Sequence, residues 1–395
     1  MKILYIATRW PMPPVTGDRL RSLYFLRELT KRYDVTLLAL CPSRAEEQML
    51  ANSVPRLKLV PVPYKEIGGY FRTMRAFLTG RPLQVEYYNM RRLKKAIFEE
   101  LSRERYDLII ACMVRAAHLV EEIDSVPKVV DLIDALSLNY TRFLADPHVS
   151  RLSPSYWIYR VEKNRVFEYE KQVIGNFDRV LLVSEVDKQH LVGNSDTDRV
   201  MIVPNGVNLF YFRFSVNGYR PNRIIFHGNI HYYPNTDAVL YFYSDVFPRV
   251  KSQVPDAVFY VVGNRPRKAI RALADRGGVV VTGKVNDVRS YLWDSAVSVA
   301  PLRVGAGIQN KILEAMAAGV PVVTTPVGLE GIHALPGEHL LVASSSEEFA
   351  DHVIRLMQDY SFRQRITHNA RRLIEEKYRW EHTLQPLFEW IESVR

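Results

Sequence analysis

The chain has 395 residues, 47% of them hydrophobic and 24% charged, and a formal net charge of +10. This is a globular composition, too long for one ordinary core and suited to two domains of roughly 150–200 residues. Two cysteines, Cys41 and Cys112, exclude a disulfide framework and a four-cysteine zinc site; no apolar run reaches the ~18 residues of a transmembrane helix, and the opening MKILYIATRW turns polar too early for a secretory signal, so the cytoplasm is the expected compartment.

In chain order, Lys2 to Thr8 reads as a buried strand. Pro11, Pro13 and Pro14 keep the next loop out of helix, and Gly17 and Asp18 precede a helix from Arg19 to about Arg32 with apolar positions at Leu20, Leu23, Tyr24, Leu26 and Leu29. Val35 to Leu40 completes a strand–loop–helix–strand unit of a parallel sheet, and its strands are apolar throughout, as strands covered on both faces are. The alternation continues with strands at 57–62, 108–111, 128–131, 178–184 and 200–203, and helices at 93–103, 156–177 and 185–191. The stretch 209–221 has little periodicity and contains Asn217-Gly218 and Pro221. It reads as a linker between a first domain, 1–208, and a second, 222–378.

The second domain restarts the rhythm with a strand at 223–226, then Gly228-Asn229 and a helix at 235–250. Strands at 258–262 and 279–282 end at Gly263 and Gly283, with a helix at 269–274 between them. A helix at 288–294 and a strand at 298–301 lead to Gly305-Ala306-Gly307. Beyond lie a helix from near Ile308 to Gly319, strands at 320–324 and 340–342, and helices at 346–360 and 362–378. A last amphipathic helix, within 379–395, is expected to pack back on the first domain.

Residues 300–331 carry the most chemistry. Two glycines ahead of a helix let the backbone approach a ligand closely, and the free N–H groups of the first turn favour an anion. Arg303 and Lys311 flank that turn, and Glu314 lies one turn beyond Lys311 on the same face, a carboxylate suited to paired hydroxyls such as those of a ribose. Anion cradle and diol acceptor together suggest a nucleoside diphosphate. The plainer reading is a surface loop with an exposed Lys–Glu pair. Open parallel sheets place ligands at the carboxyl ends of their strands, so the glycine loops at Gly17, Gly228, Gly263, Gly283 and Gly305 are expected to gather around a cleft between two facing domains.

The positive charge is uneven. Residues 56–105 hold twelve Lys and Arg against five Asp and Glu, a net of +7, mixed with Tyr70, Phe71, Phe77, Tyr87 and Tyr88. Basic residues beside aromatics suit a polyanion or an anionic membrane surface, the latter putting the protein at the membrane's inner face; a solvated charged face is the plainer alternative. No nucleic-acid-binding module is recognisable.

At this point the chain resembles the retaining glycosyltransferases of GT-B fold, the bacterial group 1, family 4-like class. The resemblance rests on Pro204-Asn205-Gly206-Val207-Asn208 with Phe210, on Phe226-His227-Gly228-Asn229 with Pro234-Asn235, on Thr282-Gly283-Lys284-Val285, and above all on Lys311 through Val323. Pro13-Pro14-Val15-Thr16-Gly17-Asp18-Arg19 with Arg21-Ser22 resembles a subgroup associated with exopolysaccharide synthesis. The resemblance implies an α/β architecture of two Rossmann-like parallel-sheet domains facing a central cleft. It implies retaining, metal-independent transfer of a sugar from a UDP- or GDP-linked donor to a lipid-linked or polysaccharide acceptor, with no cofactor.

Carried onto this sequence, donor contacts fall on Gly17 and Asp18 in the first domain. In the second they fall on Gly228, Asn229 and Asn235, on Gly283, Lys284 and Val285, and on the run Gly305, Ala306, Gly307, Ile308, Gln309 and Asn310, with Glu314 for the ribose and Glu330 for sugar hydroxyls or merely solvent. Gly17 presses the loop on the diphosphate or only permits a turn; Asp18 touches the donor or caps its helix. His118, expected to face the cleft, contacts the sugar, steadies the acceptor or is structural. Asp134 touches the acceptor or caps the helix towards Ser137. Two departures stand out. A glutamate common in the family eight residues before Glu314 is Ala306 here, and the cations usual after the first strand of the second domain are missing, with Asn235 near the lysine's place. Arg303 and Lys311 are therefore expected to hold the diphosphate and stabilise its departure. Alternatives are a nucleotide-sugar epimerase of the same fold and a catalytically weak nucleotide-sugar-binding partner in a polysaccharide assembly complex.

Overall fold

The computed structural model describes every residue except 65–68, 194, 196, 197, 217, 275 and 395, so Asn217 of the expected linker lies outside the described residues. The chain divides into unit 1, Met1–Pro204 with Leu384–Arg395, and unit 2, Asn205–Thr383.

Unit 1 is built on seven parallel strands: β1 (Lys2–Ala7), β2 (Asp34–Cys41), β3 (Lys58–Pro63), β4 (Leu108–Cys112), β5 (Lys128–Ile133), β6 (Arg179–Leu182) and β7 (Val200–Ile202), in the order β3-β2-β1-β4-β5-β6-β7. The central β1 pairs with β2 from Lys2↔Asp34 and with β4 from Ile3↔Leu108. Its Ile3, Leu4, Tyr5 and Ile6 are fully buried, which the apolar run requires of a strand covered on both faces. The helix Gly17–Leu29 is locked to β5 by a bidentate pair without solvent exposure, Arg21 Nε to Asp131 Oδ2 at 2.7 Å and Arg21 Nη2 to Asp131 Oδ1 at 2.9 Å.

Unit 2 repeats the plan with six parallel strands: β8 (Arg220–His227), β9 (Val258–Val262), β10 (Val279–Gly283), β11 (Ser295–Ala300), β12 (Val322–Thr324) and β13 (Leu341–Val342), ordered β10-β9-β8-β11-β12-β13. Its core is aliphatic and aromatic, with Phe226, Phe242 and Phe259 fully buried. Strand order reverses between β1 and β4 in unit 1 and between β8 and β11 in unit 2. In open parallel sheets that reversal opens a crevice at the strands' carboxyl ends, the place for a ligand.

Three expected boundaries are corrected. The helix read at 235–250 is Tyr233–Tyr241, a wider π-turn Phe242–Val246, then Phe247–Gln253. Pro248 lacks an N–H and its ring would meet the carbonyl four residues back, so the helix widens just before it. The stretch 209–221 is no free linker: β8 begins at Arg220, and the preceding residues are fastened to unit 2. Trp293 donates to the Arg213 carbonyl (3.0 Å), Ser215 donates to the Ala318 carbonyl (3.1 Å) and Arg371 donates to the Phe212 carbonyl (3.2 Å). Bonds to scattered side chains and a helix end leave no periodic trace in sequence. The glycine-loop helix starts at Asn310, after Gln309, rather than near Ile308; it ends where expected, with Gly319 left-handed at φ 87°.

Candidate active site

The crevice of unit 2 is assembled from strand ends. Gly228, after β8, donates its N–H to the Val262 carbonyl at the end of β9 (3.0 Å), and Gly263 donates to the Gly283 carbonyl at the end of β10 (3.2 Å). The turns at 228 and 263 press together so closely that a Cβ on Gly263 (φ +155°) would lie 1.8 Å from the Gly228 carbonyl oxygen. Only glycine fits there. The first turn of the helix Tyr233–Tyr241 pins the same loop. Buried Asn235 donates Nδ2 to the Asn229 carbonyl (2.9 Å), and Thr236 donates Oγ1 to the Ile230 carbonyl (2.7 Å). Asn229 itself is exposed, as is Lys284 beyond β10, with Val285 half-buried beside it.

The loop after β11 brings the second wall. Gly305 (φ 148°) and Gly307 (φ 69°) bracket half-buried Ala306, Ile308 is buried, and Gln309 precedes the helix Asn310–Ala318. Lys311, only 9% exposed, points back towards β8. Its Cε would sit 3.5 Å from a Cβ on Gly228, its Nζ lies 5.5 Å from the Phe226 ring centre and donates to Gln309 Oε1 at 3.0 Å. Burial pushes this ammonium down to about 8, with Glu314 opposing. The reading of 311 and 314 as an exposed surface pair is thereby overturned. Asn310 accepts from the Asn205 side chain at 2.9 Å, which ties the Pro204-Asn205-Gly206 motif to the start of this helix.

Glu314 has a partner that sequence reasoning missed. His227, the last residue of β8 and 3% exposed, sets Nε2 at 3.0 Å from Glu314 Oε2. An ionised carboxylate only accepts, so Nε2 carries the hydrogen of this bond; Nδ1 has no partner among the described residues. Tyr211 was missed too. The Arg289 guanidinium lies 3.9 Å over its ring and is itself held by Asp287 (2.6 Å); burial raises the phenol, and the charges of Asp287 and Glu314 add to the rise. Neither contact leaves a local signal, since the partners are far apart in sequence. Glu330 is half-buried where the short helix Pro326–Leu329 ends.

Arg303, after β11, has a partner that the sequence does not show: its fork grips Asp237, with Nε 3.0 Å from Oδ2 and Nη2 on Oδ1, and it lies 4.8 Å over the Tyr241 ring. Lys311 is the cation whose side chain lies against Gly228.

At the crevice of unit 1, a Cβ on Gly17 would meet nothing within 4 Å, so this glycine is not demanded by packing. Asp18 is not a helix cap: it makes no capping bond, and Thr16 holds the cap position. Its carboxylate accepts instead from Arg115 (2.7 Å), Arg9 (3.4 Å) and Thr16 Oγ1 (2.6 Å). Burial alone would raise its pKa, but Arg115 and Arg9 outweigh it and hold the group at about 2. His118 does not face a cleft. It is wholly buried, neither ring nitrogen has a hydrogen-bond partner among the described residues, and burial, with Lys94 and Arg81 adding to it, lowers it to about 3. Asp134, after β5, is half-buried and accepts from Asn139 Nδ2 (2.9 Å). It does not cap the following helix: Glu170 takes the Leu136 N–H (2.7 Å) and Asp187 the Ala135 N–H (2.9 Å). Burial, then the Asp187 charge, raises Asp134 to about 6. Among the described residues no cluster of His, Cys, Asp and Glu could hold a metal ion.

Known proteins carry the same architecture. Residues 221–359 match the family model for glycosyl transferases group 1. An uncharacterized 44.6 kDa protein in cps region of Klebsiella pneumoniae is 24% identical over 404 residues, covering 98% of this chain and 99% of its own length. A Bacillus subtilis protein, TuaC, provisionally named a teichuronic acid biosynthesis glycosyltransferase, is 24% identical over 96% of this chain and 95% of its own. Among solved structures, Anabaena Alr3699/HepE in complex with UDP superposes with a TM-score of 0.69 at 16% identity, covering 100% of both chains. The matched region of the second unit is thus similar to the group 1 glycosyl transferases, and the two Rossmann-like units have the GT-B fold.

Proposed function

We propose that the protein transfers a sugar from a UDP- or GDP-linked donor to a lipid-linked or polysaccharide acceptor, with retention of anomeric configuration and without a metal. The observation that carries this is the placing of Lys311 against Gly228 at the β8/β11 reversal, with Glu314 one turn further on. A diphosphate seated at Gly228 would meet the Lys311 ammonium and the backbone N–H groups of residues 306–309; the ribose hydroxyls would meet Glu314, oriented by His227. As the sugar–phosphate bond breaks, negative charge gathers on the leaving diphosphate, and a cation already in place lowers that barrier. In unit 1, Asp134 is tuned near neutrality and would take the proton of the acceptor hydroxyl. The UDP bound by the Anabaena neighbour and the polymer named for the Bacillus relative support the donor and acceptor classes. A lipid-linked acceptor would place the enzyme at a membrane surface.

The experiment is a donor panel incubated with and without a lipid-linked saccharide acceptor, with chelator present, and the product's anomeric configuration read by NMR. Transfer that needs the acceptor, survives the chelator, keeps the donor's configuration and is lost in Lys311→Ala is expected. Donor isomerised without acceptor would make the protein an epimerase. Thermal stabilisation by the donor with no turnover would make it a binding partner, the reading that Ala306, lacking a carboxylate for the sugar, favours.

A further inference from the structure

The basic window 56–105 does not act as one surface. Around the helix Arg91–Arg103 its charges are spent on neighbours: Lys58 bridges Glu100 and Glu104 at 2.7 Å each, and Lys94 and Lys95 sit 3.6 Å from Glu122 and Glu99. In the segment 69–81 Arg75 and Arg81 also have carboxylates nearby, Glu86 at 3.8 Å and Glu121 at 2.5 Å, but its apolar groups set it apart. Tyr70, Phe71, Met74, Phe77 and Leu78 are 64–90% exposed, and they fall within two short helices, Gly69–Thr73 and Ala76–Thr79, and the turn between them. The segment is held to unit 1 by its small and polar groups. Gly69 is buried against the Tyr87 ring, Arg72 donates Nε to the Tyr87 carbonyl (2.9 Å), Thr79 donates to fully buried Glu86 (3.1 Å), and Ala76 is buried. Its large apolar groups therefore point to solvent, the reverse of a helix that packs on a core.

A second stripe adjoins it. On the helix Pro154–Asn176, Trp157, Ile158 and Val161 are 46–57% exposed, and Leu152 just before it is 92% exposed. One turn beyond Val161, Arg165 lies 6.0 Å over the Phe77 ring, and buried Glu162 accepts the Leu83 N–H at 2.6 Å, so the two stripes form one surface. Over residues 69–81 and 151–165 there are seven Lys and Arg against one acidic residue, that buried Glu162. Exposed apolar groups on this scale mark an interaction surface, and seven basic residues against three nearby carboxylates, Glu86, Glu121 and Glu162, select an anionic partner.

We propose that this two-part surface of unit 1 docks the protein on an anionic lipid bilayer, with the aromatic and aliphatic groups entering the headgroup region and the arginines among them meeting lipid phosphates. Single apolar side chains protruding from short helices, with basic residues among them, suit a fluid anionic surface. The proposal stands whether or not the donor assignment holds.

The test is co-sedimentation of the full chain with vesicles of phosphatidylcholine alone and of phosphatidylcholine with phosphatidylglycerol, at low and high salt. Binding confined to the anionic vesicles and weakened by salt is expected. The pair Phe71→Ser and Leu78→Ser should weaken it by about tenfold or more, and Arg151→Gln with Arg160→Gln by about fivefold for each charge brought to the membrane surface, with the melting temperature and UDP-induced stabilisation unchanged. All of these side chains are solvent-exposed, so the variants should fold. Equal binding to neutral vesicles, variants that bind like the parent, or a concentration-dependent dimer lost in Phe71→Ser with Leu78→Ser would overturn the proposal.

Discussion

Lys311 is a buried cation, with Glu314, itself engaged by His227, one turn away. Its pKa, lowered to about 8 from 10.5, gives two opposite pH trends above pH 8. The cost of burying the charged form is present below pH 8 and is relieved as pH rises towards 10.5, so the unliganded protein gains stability over that window. Under the proposed function donor affinity depends on the same charge, so it should be level below pH 8 and fall above it. Lys311→Met should weaken UDP binding by about 10–100-fold, the ~1.5–3 kcal/mol of a charge-assisted contact, and flatten the pH trend; calorimetric titration across pH 7–10 reads both. Asp134 runs the other way. Its folded pKa, about 6, lies above the unfolded 3.8, so the stability linked to its protonated form is present below pH 4 and lost as pH rises through 6. Asp134→Asn keeps an acceptor for Asn139 and removes the charge. It should therefore gain on the parent between pH 4 and 7, by about 1–2 kcal/mol once solvent screening of a half-buried group is allowed for, in denaturant titrations at each pH. Transfer should fall by ~100-fold in the same variant if Asp134 takes the acceptor proton. Glu314 was visible in the sequence because it lies one turn from Lys311. His227 was not, because its contact spans 87 positions, and neither was the Arg303–Asp237 pair, whose partners lie 66 positions apart.

At the scale of elements, the parallel strands and their glycine ends were legible because buried strands are written as apolar runs and turns as glycines. Helices of four or five residues, such as Ala76–Thr79, Val114–Ala117 and Pro326–Leu329, are shorter than the period that would reveal them. What a glycine does also needs the neighbouring element. Gly17 and Gly263 look alike in sequence, each following a strand. Yet a methyl at 17 meets nothing within 4 Å, while at 263 it meets the Gly228 carbonyl at 1.8 Å with φ at +155°. Gly263→Ala must part the two turns or strain the backbone. It should cost about 2–4 kcal/mol in urea denaturation and weaken UDP binding, because Gly228 moves away from Lys311. A fully stable Gly263→Ala would mean that the turns are not pressed together as described.

For the whole molecule, the repeated βα rhythm made two parallel-sheet units readable, but the way the chain is divided between them is a matter of tertiary contact. Residues 384–395 follow unit 2 in sequence and belong to unit 1 in space. The helix Gln385–Ser393 places Leu387, Phe388 and Ile391 at no more than 1% exposure, the Arg32 guanidinium lies 4.1 Å from the Phe388 ring centre, and Arg179 lies 5.3 Å from the ring of Trp390. Arg32 precedes β2 and Arg179 opens β6, so this helix closes over the sheet of unit 1. Each large apolar side chain buried in it is worth roughly 1.5–3 kcal/mol, so the helix contributes a large fraction of the ~5–15 kcal/mol that stabilises a domain. Removing residues 384–395 should therefore lower the melting of the unit at the far end of the sequence, while unit 2 keeps its own sheet and core. Scanning calorimetry with and without UDP distinguishes the two. In the parent, UDP at 100 times its Kd should raise the transition of unit 2 by about 2.7 kcal/mol. In the truncated chain that ligand-sensitive transition should persist and the other should move down or vanish; loss of the UDP-sensitive transition instead would mean that these residues support unit 2.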